Sequence, residues 1–139
     1  NRSCISNKDM EGWQKEGVIE YLGETDDVGR YIKAACCVVL PSYREGTSRV
    51  LLEAAAMSRP LIATDVPGCR EVIEDGITGF LCKSHDHNDL SYKMERMILL
   101  PYETRRGMGK KGRQKVEQEF NENIVCELYI DAIEECCTK

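Results

Sequence analysis

Four short apolar runs constrain the fold of this chain more than any other feature. They are VIEYLG (18–23), CCVVLP (36–41), PLIAT (60–64) and GFLCK (79–83). The second and third show little alternation with polar residues, which is typical of parallel strands covered on both faces. We therefore predict four strands, two of them deep in a parallel sheet.

Segments with helical spacing alternate with these runs. They cover 26–35, 48–57, 69–76, 86–100, 104–120 and the stretch that begins at 121. The last is amphipathic, and its expected buried residues are Ile124, Val125, Leu128, Ile130 and Ile133. Alternating strands and helices predict an α/β fold, a doubly wound parallel sheet with helices on both faces.

Composition narrows the possible partners. The 139 residues suit a single domain, 1–139, with its own core. A net charge of −5 argues against nucleic acid as a partner, and the basic stretch 105–115 is interpreted as a solvated helix face. The eight cysteines include no C-x-x-C pair, and most lie in apolar runs. We expect reduced, largely buried thiols and no metal site.

Ligands of doubly wound sheets bind beyond the carboxyl ends of the strands. Two loops meet that condition, PSYREGTS (41–48) and TDVPGC (64–69), and they are expected to lie side by side. Thr47 or Ser48 is a suitable N-cap for the helix that follows the first loop. The free N–H groups of its first turn would form a phosphate site, which Gly46 allows a diphosphate to approach.

Two carboxylates flank this expected phosphate site, Glu45 in the loop and Glu53 eight positions later. A nucleotide-sugar has hydroxyls at both ends of its diphosphate, so Glu45 could accept from the hexose and Glu53 from the ribose. Spacing alone favours two ordinary solvated acids. Against that, Glu53 lies within the apolar run LLEAAAM, where an unpaired charge would be costly.

PSYREGTSRVLLEAAAM (41–57) resembles the E-x7-E segment of the retaining glycosyltransferases of family 4, which have the GT-B fold. PLIATDVPGCREVIEDGITGFL (60–81) is similar to the strand, glycine loop, helix and strand that follow it in that family. VIEYLGETDDVGRYIKAACCVVLP (18–41) resembles the stretch that precedes it. The combination of REG-x-x-R (44–49) with TDVPGCRE (64–71) most resembles bacterial enzymes that extend lipid-linked oligosaccharides for surface polysaccharide or glycoprotein assembly.

This resemblance implies a transferase that moves a sugar from a nucleotide-diphosphate sugar, a UDP-sugar, with retention of configuration. Glu45 would be the catalytic residue that contacts the donor hexose. The residues implied for donor binding are Thr25, Arg30, Gly46, Thr47, Val50, Leu51 and Glu53. No metal and no cofactor are implied. Ser48 and Ser58 depart from the family pattern, and Ser58 would be strained if its backbone is left-handed.

A GT-B enzyme has two such domains, and this chain is expected to be a truncated C-terminal donor domain without its first strand. The implied partners are the nucleotide-sugar, a saccharide or lipid-linked acceptor, and an N-terminal acceptor domain absent from this chain. The implied location is the cytoplasm, with peripheral contact at the inner face of the membrane through that missing domain.

Three other functional classes are weighed against a glycosyltransferase. A dehydrogenase lacks support because no G-x-G-x-x-G follows a strand, and an NTPase or phosphatase lacks both the G-x-x-x-x-G-K-[ST] loop and an acidic metal cluster. A non-catalytic nucleotide-sugar-binding or interaction module is the alternative that the sequence leaves open.

Overall fold

The computed structural model describes residues 5–137 and places three of the predicted runs in one parallel sheet. The strands are β1 (Val38–Leu40), β2 (Leu61–Thr64) and β3 (Gly79–Cys82), in the spatial order β1-β2-β3. Val38 pairs with Leu61, and Leu61 pairs with Gly79. The predicted parallel α/β architecture is therefore confirmed.

Helices occupy most of the remaining described chain. They are α1 (Asn7–Lys15), α2 (Gly29–Ala34), α3 (Arg49–Ala56), α4 (His87–Leu99), α5 (Tyr102–Glu119) and α6 (Glu122–Cys137). The sequence analysis missed α1, which Ser6 caps by accepting a hydrogen bond from the N–H of Asp9. Across residues 5–137, no helix combines the length and apolar character needed to cross a membrane.

The core lies on both faces of β2, because successive side chains of a strand point to opposite sides. Leu61 and Ala63 pack with Leu51 and other buried residues of α3 on one face. Ile62 packs on the other face with Phe80, Met97 of α4 and Met108 of α5. This two-sided burial explains why PLIAT contains no polar alternation.

Two of the predicted elements are wrong. Residues 18–23 form no strand, and Val18, Tyr21 and Leu22 are exposed. A strand is stable only beside another strand, and none of the described residues pairs with this segment. Residues 67–72 form turns instead of a helix from 69 to 76. Their hydrogen bonds include those from the N–H of Arg70 to the carbonyl of Val66 (3.1 Å) and from the N–H of Ile73 to the carbonyl of Cys69 (3.0 Å).

The prediction of a buried face on α6 is also wrong. Ile124, Leu128, Ile130 and Ile133 are all exposed, whereas the side chain of Val125 lies outside what the structure describes. The helical period was read correctly, but no described element covers that face.

The cysteines are less buried than expected. Cys69 and Cys82 are buried and Cys37 is half-buried, and burial raises the pKa of the Cys37 thiol to about 12. The exposed cysteines are Cys36, Cys126, Cys136 and Cys137. Cys4 lies outside the described residues.

The end of α3 confirms the expected strain at Ser58, whose φ is +57°. The N–H of Ser58 donates to the carbonyl of Ala55 (2.8 Å), and the N–H of Arg59 donates to that of Ala54 (2.9 Å). This pair of hydrogen bonds is a Schellman motif, in which the residue at the position of Ser58 is usually glycine. A Cβ added to Gly109 of α5 would overlap the carbonyl of Ser58, so α5 packs directly on this turn.

Ser58→Gly is therefore expected to raise the free energy of unfolding by roughly 0.5 to 1 kcal/mol. Relief of left-handed strain contributes about 1 to 2 kcal/mol, which exceeds the entropic cost of a glycine, about 0.5 to 1 kcal/mol. Urea titration of both proteins measures the difference. Ser91→Gly, in the exposed middle of α4, is the matched control and should lose about 1 kcal/mol. Equal losses for the two variants would contradict the strain.

Candidate functional site

The loops after β1 and β2 touch through their backbones at the carboxyl edge of the sheet. Gly68, in the second loop, has φ +83°. A Cβ built on it would overlap the carbonyl of Gly46 in the first loop and would come within 2.9 Å of the carbonyl oxygen of Glu45. The prediction that these loops lie side by side is confirmed, and only glycine fits where they meet.

The second loop is braced at both of its ends. The N–H of Asp65 donates to the carbonyl of Cys82 at the end of β3 (2.7 Å). The carboxylate of Asp65 accepts from Nε of Arg70 (2.9 Å). These contacts hold the loop in shape, and the carboxylate of Asp65 is already engaged by Arg70.

Helix α3 begins at this junction with open backbone donors. Ser48 is the N-cap residue, as predicted, but its side chain makes no capping hydrogen bond. The carbonyl of Ser48 accepts the N–H of Leu52 (3.0 Å), so the N–H groups of Arg49, Val50 and Leu51 precede the helical ladder. A helix start with free donors and a positive dipole end favours an anion.

Glu45 lies at the same junction and is half-buried. Burial raises the pKa of the Cys69 thiol beneath the second loop, and the nearby carboxylate of Glu45 raises it further. Glu45 belongs to the first loop, and its carbonyl oxygen lies within 2.9 Å of a Cβ built on Gly68 in the second. The junction therefore combines one carboxylate with a group of backbone donors.

Glu53 is exposed, which contradicts the argument that its charge is buried within LLEAAAM. The helix turns this position away from the core, so the run contains no buried charge. Its side chain lines a hollow of about 370 Å³ between α3 and the start of α2. The other residues of this hollow are Asp26, Asp27, Val28, Gly29, Ile32, Ala56 and Met57.

Thr25 and Arg30 lie on either side of that α2 start. The hydroxyl of Thr25 accepts from the N–H of Asp27 (3.1 Å), and a carboxylate oxygen of Asp27 accepts from the N–H of Arg30 (3.3 Å). The guanidinium of Arg30 donates to the hydroxyl of Tyr31 (2.6 Å) and lies 4.6 Å from the centre of its ring. Both residues are exposed. Neither lines the hollow itself, but they flank in sequence the segment 26–29 that lines it together with Glu53.

The two apolar residues predicted for donor binding differ in accessibility. Val50 is 41% exposed at the start of α3, so its side chain can meet a ligand. Leu51 is fully buried in the core, and only its backbone N–H faces the helix start. A side-chain contact from Leu51 to a ligand is therefore excluded.

The sequence analysis missed a second contact at this edge. The rings of Tyr43 and His85 stack with their centres 4.0 Å apart and their planes 11° from parallel. His85, just after β3, has φ +59°. The stack borders a cavity of about 190 Å³ that Pro41, Thr64 and Lys83 also line. The sequence does show an aromatic residue in the first loop and a histidine after β3. The two are 42 positions apart, however, and no local pattern predicts that they touch.

The chain is similar to known proteins in sequence and in fold. Residues 8–115 match the family described as "Glycosyl transferases group 1". One relative is N,N'-diacetylbacillosaminyl-diphospho-undecaprenol alpha-1,3-N-acetylgalactosaminyltransferase of Campylobacter jejuni, to which this chain is 31% identical over 130 residues. The aligned region covers 94% of this chain and 33% of that protein. The matched part of this chain spans a third or less of the length of such curated relatives.

Solved structures agree on the fold. Sucrose-phosphate synthase of Thermosynechococcus elongatus superposes with a TM-score of 0.82 at 27% identity, over 94% of this chain and 34% of that chain. HepE of Anabaena, solved in complex with UDP, has a TM-score of 0.82 at 19% identity, over 92% of this chain and 35% of its own. These likenesses confirm the predicted GT-B architecture. Together with the match over residues 8–115, they lead to one conclusion: the chain belongs to the group 1 glycosyltransferases.

Proposed function

We propose that this chain is the donor-binding part of an enzyme that transfers a sugar from a nucleotide-diphosphate sugar, a UDP-sugar, with retention of configuration. The observation that carries the proposal is the junction of the two loops. There Glu45, the turn at Gly46 and the open start of α3 converge at the carboxyl edge of a parallel sheet.

The diphosphate is assigned to the start of α3. Backbone N–H groups at Gly46, Thr47 and the first helical turn would donate to its oxygens, and the side chain of Val50 would lie against it. Support for a uridine nucleotide comes from HepE, which has been solved with UDP and with UDP-glucose. No cofactor is proposed.

Glu45 is assigned to the donor sugar, as the group that acts in the transfer step. In that step the acceptor's hydroxyl oxygen forms a bond to the anomeric carbon while the bond between that carbon and the diphosphate oxygen breaks. Negative charge develops on the leaving diphosphate, which takes up the hydroxyl proton. The amides and dipole of α3 would stabilise that charge. The carboxylate of Glu45 would hold the sugar hydroxyls so that the anomeric carbon stays oriented toward the acceptor.

Glu53 is assigned to the ribose diol, and Thr25 and Arg30 to the neighbourhood of the base. The hollow between α2 and α3 supports this assignment, because it brings Glu53 next to the segment between Thr25 and Arg30. Exposure of Glu53 is also consistent with the role, since a ribose can reach it from solvent.

The acceptor and the remaining partners extend the proposal. We assign a saccharide or lipid-linked acceptor, bound by an N-terminal domain, and a cytoplasmic enzyme with peripheral contact at the inner face of the membrane. The Campylobacter relative, whose name specifies a diphospho-undecaprenol acceptor, supports the lipid-linked class. Relatives about three times as long support a second domain.

The transfer step is expected to need no metal ion, because the leaving diphosphate is held by backbone donors and the sequence contains no Asp-x-Asp pair. The full-length enzyme, tested against a panel of nucleotide-sugars, should keep its rate within about twofold in EDTA. NMR of the product should show the anomeric configuration of the donor. Loss of activity that manganese alone restores would overturn metal independence, and an inverted product would overturn retention.

A further inference from the structure

A small cavity opens at the amino-terminal edge of the sheet, opposite the candidate site. Its walls come from the chain just before β1, the connection from α3 to β2, and the start of α5. The lining residues are Cys36, Ser58, Arg59, Pro60, Tyr102, Arg105 and Arg106. Its volume of about 100 Å³ equals the share of about three water molecules in the liquid. Such a cavity is too small for a nucleotide and suits one compact group.

Arg59 is anchored at this cavity. One Nη of its guanidinium donates to the carbonyl of Lys33 (2.8 Å). Its Nε is enclosed by protein, and no described residue accepts from it. Because Nε has almost no accessible surface, a ligand in the cavity would meet the guanidinium through its Nη groups, and a charged guanidinium favours a ligand that carries oxygen atoms.

Arg105 and Arg106 bring two more positive charges to the same cavity. Among the described residues, the guanidinium of Arg105 hydrogen-bonds only to the carbonyl of Ile98, at 3.5 Å. Arg106 pairs with the carboxylate of Glu103 at 3.5 Å, and the side chains of Arg106 and Glu103 are more than half exposed. The lining residues include no carboxylate. Three guanidinium groups around one cavity repel one another, and a bound anion would offset that repulsion.

The rest of the basic stretch 105–115 behaves differently. Arg113 donates to Glu117 (2.7 Å) and Lys115 to Glu119 (2.8 Å), each one helical turn away. These pairs fit the interpretation of the stretch as a solvated helix face. Arg105 and Arg106 depart from it, because they converge with Arg59, which is distant in sequence.

We propose that this arginine cluster, formed by Arg59, Arg105 and Arg106, is a binding site for a single phosphate group. A phosphate presents several oxygens to guanidinium donors and matches the size of the cavity. The group can come from free phosphate or from the phosphomonoester headgroup of a lipid. The site lies at the opposite edge of the sheet from the donor junction and does not depend on the function proposed there.

Calorimetric titration of the full-length protein with inorganic phosphate tests the site, at constant ionic strength and with excess UDP present to fill the donor site. Arg59→Gln and Arg106→Gln should each weaken phosphate binding on the order of tenfold or more. Arg113→Gln removes the same charge from the same helix outside the cavity and should leave the affinity unchanged. Arg106 is exposed, so its variant remains informative if Arg59→Gln fails to fold.

A second arm identifies the source of the phosphate. Sedimentation with vesicles of phosphatidylcholine, with or without phosphatidic acid, measures lipid binding by the same variants. Binding to phosphatidic acid that is lost in Arg106→Gln and retained in Arg113→Gln supports the cluster with a lipid source. Binding of free phosphate alone, with the same variant pattern, supports it with a soluble source. No phosphate binding in either arm, or equal weakening by all three variants, would overturn the proposal.

Discussion

Glu45→Ala in the full-length enzyme is expected to lower kcat roughly ten- to a hundredfold while changing donor affinity much less. Glu45 lies where the transferred sugar is proposed to bind, so its interaction should strengthen as the sugar leaves the diphosphate. Loss of one hydrogen bond to a charged group, about 1.5 to 3 kcal/mol, sets the size of the effect. Steady-state kinetics with the preferred UDP-sugar, together with UDP binding by calorimetry, separates the two quantities.

Glu53→Ala is the informative counterpart, because the ribose does not react. Donor affinity should fall roughly tenfold or more while kcat changes little. Glu95→Ala, an exposed acid in the middle of α4, is the control for loss of a surface carboxylate. If both Glu45→Ala and Glu53→Ala keep normal rates and affinities, the two glutamates are ordinary solvated acids and the assignment of the donor site is wrong.

Gly68→Ala is expected to lower the free energy of unfolding by about 2 to 5 kcal/mol. Two effects add: left-handed strain of about 1 to 2 kcal/mol, and overlap of the new Cβ with the backbone of Gly46, for which about 1 to 3 kcal/mol is typical. A backbone carbonyl cannot turn aside as a side chain can. Donor affinity should fall as well, because the first loop must move.

Gly76→Ala is the matched control for this contact. Gly76 has nearly the same backbone angle, φ +77°, but a Cβ added there meets nothing within 4 Å. The Gly76→Ala variant should therefore lose only the free energy of unfolding that left-handed strain costs, about 1 to 2 kcal/mol, and its affinity for UDP should not change. Urea titrations and UDP calorimetry on both variants measure the difference. Equal stability losses, or unchanged UDP binding in Gly68→Ala, would contradict a rigid junction of the two loops.

The sheet was largely predictable from the sequence because burial on two faces leaves a clear pattern. Leu61 to Thr64 are all buried, and the uninterrupted apolar run PLIAT encodes that directly. The run 18–23 looks similar, but a strand also needs a neighbour, which composition does not reveal. The prediction that one face of α6 is buried was wrong for a related reason. Helical periodicity shows which residues share a face but not whether another element covers it.

The candidate site was predictable where it depends on topology. Parallel strands place their following loops at one edge, so the approach of Gly46 and Gly68 follows from the strand assignments. The exposure of Glu53 did not follow, because an apolar run can turn one position outward on a helix. The stacking of Tyr43 on His85 and the convergence of Arg59 with Arg105 join distant parts of the chain, and no local pattern contains them.

The stack of Tyr43 on His85 also affects how the carboxyl edge can move. It ties the loop after β1 to the loop after β3, while Gly46 and Gly68 tie the same first loop to the loop after β2. Three loops are thereby linked in series by contacts across the edge. Displacement of one loop by a ligand is then expected to shift the other two, so the edge should respond to binding as a unit.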